Sequence, residues 1–182
     1  LNFLTKEDKD RTKSYKDNIK RNELFKKNSN EINSKNDWIR SLNLMLETEK
    51  ISFKNKNIPR IIQLFNRTNQ FNLSGRKFNN SSFFELLNKD NYLYYYGKSS
   101  DRIGNEGIIS ALGFKFHNDK IIIEDYILSC RVFGKYIEEM MLIPVFKIAI
   151  HKRFDINFKY LKNDRNMLVS DFLSNITEGS FY

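Results

Sequence analysis

With 182 residues, of which 40% are hydrophobic, the chain is long enough for one domain with a packed core, and 16 Phe and 9 Tyr supply much of it. Its 2 Pro and 7 Gly exclude a linker-rich or low-complexity protein, its single Cys excludes an internal disulfide, and no run approaches the ~20 apolar residues that span a bilayer. The net charge of +9 comes mostly from Lys spread along the chain. Without a compact Arg/Lys block, zinc-knuckle spacing or RNP-type aromatic motif it does not point to nucleic acid, and it serves better to attract a phosphorylated ligand or an acidic partner.

The first residues, LNFLTKEDKDRTK, lack the apolar run and small-residue cleavage site of a signal peptide, and with the single cysteine they lead to the expectation of a soluble, cytoplasmic protein. Residues 5–28 are polar and free of Gly and Pro; Thr5 with Glu7 and Asp8 suits a helix start, and Tyr15, Ile19 and Leu24 give a thin apolar stripe. A second helix is expected over 34–46, capped by Ser34 or Asn36, with Trp38, Ile39, Leu42, Met45 and Leu46 on one face. A polar Lys- and Asn-rich loop then leads to Pro59, which fits the first turn of a third helix, IPRIIQLFNRTNQ.

From Phe71 the texture changes. FNLSGRKF reads as strand, NSSFFELLNK as a short capped helix, and NYLYYYGKSS, GIISALGFKFHN and KIIIEDYILSC as strands, the last two joined by the polar turn HNDK. A long helix over 135–152, a short strand INFKYL and a final helix RNMLVSDFLSNI complete the chain, which holds no internal repeat. The order β-α-β-β-β-α-β-α after a helical section predicts an α/β fold with a mixed sheet, where ligands favour the carboxyl ends of central strands.

The segment LSCRVFGKYIEEM (128–140) lies at such an end. A strand that turns through Gly134 into a helix holds anions well, because backbone N–H groups point at the ligand and glycine allows close approach. Cys130 stands at the same turn. Beside Arg131 and Lys135 at a helix start it would be activated as a nucleophile; equally, strand alternation sets it on one face with Tyr126 and Leu128, as a small buried side chain. An ordinary β-to-α bend is the third reading of the turn.

Four blocks in order, RIIQLFNRTNQFNLSGRKF (60–78), DRIGNEG (101–107), LSCRVFGKYIEE (128–139) and LKND (161–164), resemble those of the FkbH-like proteins of the HAD superfamily, subfamily IIIC. The opening TKEDKDRTKSYKDNIKRNEL is similar to that family's inter-domain helix. Family members join a phosphatase-like HAD domain, marked by D-x-D-x-T, to a GNAT-like acyltransferase domain. This sequence contains no D-x-D-x-T, so it resembles the second part and its linker helices, and the phosphatase chemistry does not carry over.

The resemblance implies a GNAT-like mixed central sheet flanked by helices, residues 69–182, ending before the last strands of a full core, with residues 1–68 as an N-terminal helical extension. It implies acyl transfer by way of coenzyme A or the phosphopantetheine thiol of an acyl carrier protein, in polyketide or surface-glycan biosynthesis, with a HAD-type phosphatase domain upstream or in trans. The pantetheine arm would lie between two splayed strands, KIIIEDYILSC and INFKYL. Arg131, Val132, Phe133, Gly134, Lys135 and Tyr136 match the start of the GNAT pyrophosphate loop, R-x-x-G, though Tyr136 replaces its final Gly or Ala. Asn163 in K-N matches a position near the cofactor, and Glu138 would tie down the loop through Arg131.

For chemistry, the residues offer Cys130 as an acyl acceptor and Asp101 or Glu106 as a general base, against a structural thiol and a turn-capping aspartate; the family's second Asp in DRIGNEG is Asn105 here. Asn69, Gln70, Asn72 and Arg76 suit recognition of a polar acyl group, and equally suit bonding an irregular stretch of backbone. His117 and His151 lack companions at metal-ligand spacing, so no metal is expected. The alternative function is a non-catalytic carrier-protein docking or structural module of a HAD-type enzyme.

Overall fold

The structure is a computed structural model that describes residues 13–24 apart from 14, 18 and 22, and residues 35–177. The expected caps at Thr5 and Ser34 lie outside the described residues. Within 13–24 the described residues are helical. There follow α1 (Lys35–Ser41), β1 (Met45–Lys50), α2 (Ile58–Arg67), α3 (Asn80–Leu87), β2 (Tyr92–Ser100), β3 (Asn105–His117) and β4 (Lys120–Leu128). A 3-10 turn (Cys130–Val132) leads to α4 (Ile137–Met140), α5 (Ile143–Lys152), β5 (Asp155–Phe158) and α6 (Met167–Ile176). The five strands form one sheet in the order β1-β2-β3-β4-β5, with β3 and β4 antiparallel and β4 and β5 parallel. Among the described residues no helix is long and apolar enough to cross a membrane.

The fold is mixed α/β, with helices flanking a mixed sheet as expected, and local chemistry explains where its elements begin and end. Asn79 and Ser82 form a reciprocal capping box at the start of α3: the Asn79 side chain accepts from Ser82 N–H at 2.8 Å and Ser82 Oγ from Asn79 N–H at 3.1 Å. Pro59 sits in the first turn of α2. The hairpin between β3 and β4 turns through Asn118, which takes a φ of 51°.

Three elements differ from their expected form. The helix expected over 34–46 stops at Ser41; Asn43 turns the chain left-handed at φ 49°, and MLETEK becomes β1. This edge strand is charged and mostly exposed, so it shows no apolar alternation, a composition that protects sheet edges from further pairing. The helix expected over 135–152 is two helices, because Pro144 requires a first-turn position and α5 starts just before it. FNLSGRKF makes a single antiparallel bridge, Asn72 to Ile127, before Gly75 bends it away at φ 67°.

The described residues before Glu47, with Ser99–Gly107, form one compact unit, and the remainder forms a second. In the second unit one core layer centres on Phe65, Phe78 and Phe83, with Phe65–Phe78 edge to face at a 4.8 Å centroid separation. Across the sheet Phe71 meets Tyr126 at 5.1 Å and Phe172 at 5.4 Å.

The β3–β4 ladder carries the irregularity that positions the site. Gly113 faces Asp125 while Phe114 faces Ile123, so Glu124 is an extra residue on β4. Gly113 leaves room for the ring of Tyr94: a Cβ at 113 would overlap its Cδ1, Cε1 and Cζ. Replacing Gly113→Ala is therefore expected to destabilise the protein by about 1–3 kcal/mol through overpacking, read as a lowered urea midpoint. An unchanged midpoint would show that Tyr94 can leave this seat freely.

Candidate functional site at the end of strand β4

The edge of β4 is built first by β5 and then by the chain's own residues 71–73. The parallel pairing runs from Lys120 opposite Asp155 to Ile123 opposite Phe158, and Lys159 N–H donates to Ile123 O at 2.9 Å. Beyond this point β4 bonds a different segment. Leu73 N–H donates to Tyr126 O at 2.9 Å and Leu128 N–H to Phe71 O at 3.1 Å, while Leu161 N–H donates to Leu73 O at 3.1 Å. Ser129 N–H, pointing the other way, donates to Ile109 O of β3, so residues 71–73 occupy the edge that faces β5. They stand between β4 and the chain leaving β5.

Two buried asparagines pin this segment. Asn166 donates from Nδ2 to Asn72 O at 3.0 Å and to Leu161 O at 2.9 Å, and its Oδ1 accepts from Asn163 N–H at 2.9 Å. Asn72 Oδ1 accepts from Gly75 N–H at 3.0 Å. Asn163 is exposed; its Oδ1 accepts from Arg165 N–H at 2.9 Å, and its amide lies against Gly75. Asn69 is exposed and accepts from Lys77 Nζ at 2.8 Å, and that ammonium also bonds the carbonyls of Phe65, Asn66 and Thr68 at the end of α2. Gln70 is exposed.

The turn after β4 carries Cys130 outward. The strand ends at Leu128, so alternation no longer applies, and the thiol is exposed rather than buried with Tyr126 and Leu128. Val132 is buried; Arg131, Phe133, Gly134 and Lys135 are half-buried, and Tyr136 is 48% exposed. Gly134 and Tyr136 both take positive φ, 75° and 64°. Gly134 N–H donates to the buried carboxylate of Glu138, whose backbone carbonyl accepts from Tyr126 OH. The N–H group suited to an anion thus already holds one from its own chain.

A cluster that the sequence reading did not single out lies beside this edge. Because of the extra residue, Glu124 and Asp125 both meet Arg76, although both are buried. Arg76 Nη1 donates to Asp125 Oδ2 at 3.1 Å and Nη2 to Glu124 Oε2 at 3.3 Å. Ser74 Oγ donates to Asp125 Oδ1 at 2.6 Å, and Tyr94 OH donates to Oδ2. Tyr92 OH donates to Glu124, and Lys115 Nζ lies 2.7 Å from its other oxygen. The available signal was an adjacent acid pair inside KIIIEDYIL, an otherwise apolar strand.

Burial would raise the Glu124 carboxyl, but hydrogen bonds from Lys115 and Tyr92 and the charges of Lys115 and Lys159 outweigh it and bring the group from 4.5 to about 2. Burial first, and then the Asp125 charge, push Tyr94 upward. Arg76 is held above its ordinary value: burial opposes its charge, and Asp125, Tyr94 and Glu124 overcome that.

Asp101 belongs to the first unit. Its Oδ1 accepts from Ile103 N–H at 2.9 Å and Gly104 N–H at 3.0 Å, capping the turn. Arg21 forks onto it, Nε to Oδ2 at 2.6 Å and Nη2 to Oδ1 at 2.9 Å, and also bonds buried Glu106. Burial raises Asp101, whereas the Arg21 bond and the two backbone N–H groups lower it further than burial raises it. The structure therefore gathers Asn72, Arg76, Asn163 and the 130–136 turn in the second unit, with Asp101 in the first.

No protein-family model matches the chain, and no curated protein matches it. Solved structures do. A ribosomal-protein-alanine N-acetyltransferase from Brucella melitensis biovar Abortus 2308 superposes with a TM-score of 0.57 at 8% identity, over 76% of this chain and 95% of that one. The aminoglycoside N-acetyltransferase AAC(6')-Iy in complex with CoA gives 0.55 at 7% identity, over 76% and 91%. A GNAT family acetyltransferase from Staphylococcus aureus subsp. aureus USA300_TCH1516 gives 0.50 at 11% identity, over 75% and 96%. The chain has the GNAT fold. At these identities the likeness is one of fold.

The depressed Glu124 pKa has a signed consequence. The group contributes stability that is fully present above its unfolded value and is lost as the pH falls from about 4.5 toward about 2. Thermal melts across that window are expected to show a falling midpoint, and Glu124→Gln should flatten part of the fall while lowering stability at pH 7. A Glu124→Gln curve parallel to the wild type throughout would refute this role.

Proposed function

We propose that this chain is an acyl-transfer-type domain that handles a pantetheine thioester. The observation that carries the proposal is the exposed Cys130 turn at the carboxyl end of β4, in a GNAT-fold sheet where parallel β4 and β5 part after Ile123 and Phe158. One structural neighbour, an aminoglycoside N-acetyltransferase, is in complex with CoA. The resemblance to FkbH-like proteins extends the proposal to glyceryl or related acyl groups, an acyl carrier protein, a HAD-type partner domain and a cytoplasmic setting. In this reading the turn from Arg131 to Tyr136 and Asn163 border the thioester. Cys130 is the acyl acceptor and the exposed Asn69 and Gln70 face the acyl group, whereas Asn72 and Arg76 are taken up by the fold and Asp101, bound by Arg21 and two backbone N–H groups, caps its own turn in the first unit.

The residues along β4 do not fit coenzyme A. The Tyr126 carbonyl and the Leu128 N–H are bonded to residues 71–73, and Gly134 N–H is bonded to Glu138. These same bonds favour a second reading, a non-catalytic docking or structural module, because every one of them is a fold contact.

Calorimetry with coenzyme A and with a holo carrier protein separates the two. Saturable heat with either is the expected result; none from the folded protein supports the module. Incubation with an acyl thioester followed by intact mass is expected to show one acyl adduct, absent in Cys130→Ala. No adduct in the wild type would remove Cys130 as acyl acceptor.

A further inference from the structure

We infer that residues Phe71–Leu73 are a permanent member of the sheet and that Glu138 seals the glycine turn, so the groove between β4 and β5 admits no extended ligand. A strand edge exposed where two parallel strands part is a ready site for pairing with an extended ligand. Here that edge is already paired. Leu73 N–H, Phe71 O and Leu73 O are all used, toward β4 on one side and Leu161 on the other.

The side chains make the pairing permanent. Phe71 and Leu73 are buried, and Phe71 packs on Tyr126, Phe133 and Phe172 from three separate segments. Asn166, fully buried, fixes the Asn72 carbonyl. Ser74 and Arg76, next along the chain, are bound to Asp125 within β4 itself. Withdrawing the segment would strand Asp125 without these donors and open an aromatic core. At the end of the groove the Gly134 N–H, the group a phosphate would approach, is already taken by the Glu138 carboxylate. A thioester, on the reading above, is therefore met outside the groove, over the exposed Cys130 face.

The test is amide hydrogen exchange of the wild-type protein, alone and with coenzyme A. Leu73 and Leu128 amides are expected to exchange as slowly as those of the β3–β4 ladder, and coenzyme A should leave both unchanged. Exchange a hundredfold faster than the ladder would overturn the inference, as would loss of their protection on adding coenzyme A. The inference rests on the thioester reading only for what lies outside the groove, and the two fail separately. Calorimetric heat with coenzyme A and lost protection at Leu73 sinks the closed groove and keeps the thioester reading. No heat with coenzyme A or a holo carrier protein, with both amides slow, sinks the thioester reading and keeps the closed groove.

Discussion

Two adjacent carboxylates on a buried strand must be neutralised, and much of the second unit is arranged by that requirement. Regular pleating would send Glu124 and Asp125 to opposite faces. The extra residue in β4 brings both to Arg76, whose two terminal nitrogens divide between them. Such a pair is a weak source of net stability, yet without Arg76 the fully buried Asp125 would keep only the hydroxyls of Ser74 and Tyr94 as donors. The acids thus fix where Arg76 and Ser74 must be, and the backbone between Thr68 and Phe78 follows.

That dependence explains why an irregular segment behaves as part of a sheet. Residues 71–73 make one bridge, too short to stand as a strand, and Gly75 bends sharply after them. What holds them is attachment at both ends: Phe71 in the aromatic layer, and Ser74 and Arg76 on Asp125. The tyrosines of β2 complete the same set, since Tyr94 reaches Asp125 across Gly113, whose missing Cβ leaves room for its ring.

Much of the architecture was legible because it follows from local chemistry. Asn79 and Ser82 announce α3, Pro59 announces α2, and the β-branched and aromatic runs announce β2 through β4. Pro144 marks the break in the long helix just as locally, but the apolar pattern continues through it and masks the break. β1 was not legible, since a charged edge strand buries too little to show a period. Cys130 misled for a related reason: alternation holds only while the strand lasts, and nothing local in LSCRV marks Leu128 as its end. Apart from Lys115, the acid cluster joins residues 31 to 51 positions apart, a distance that no periodicity reports.

The same bonds limit what the fold implies. Where β4 and β5 part, an extended ligand could pair only with a free β4 edge and with outward-facing N–H groups of the turn. In this chain Asn72 and Asn166 direct a segment into the first position, and Glu138 takes the second. Both substitutes hydrogen-bond the backbone they meet, which costs less than leaving the edge and the turn bare in the interior. Pairing of this edge therefore follows once the acids of β4 are in place, because Ser74 and Arg76 reach Asp125 only when residues 71–73 lie alongside the strand.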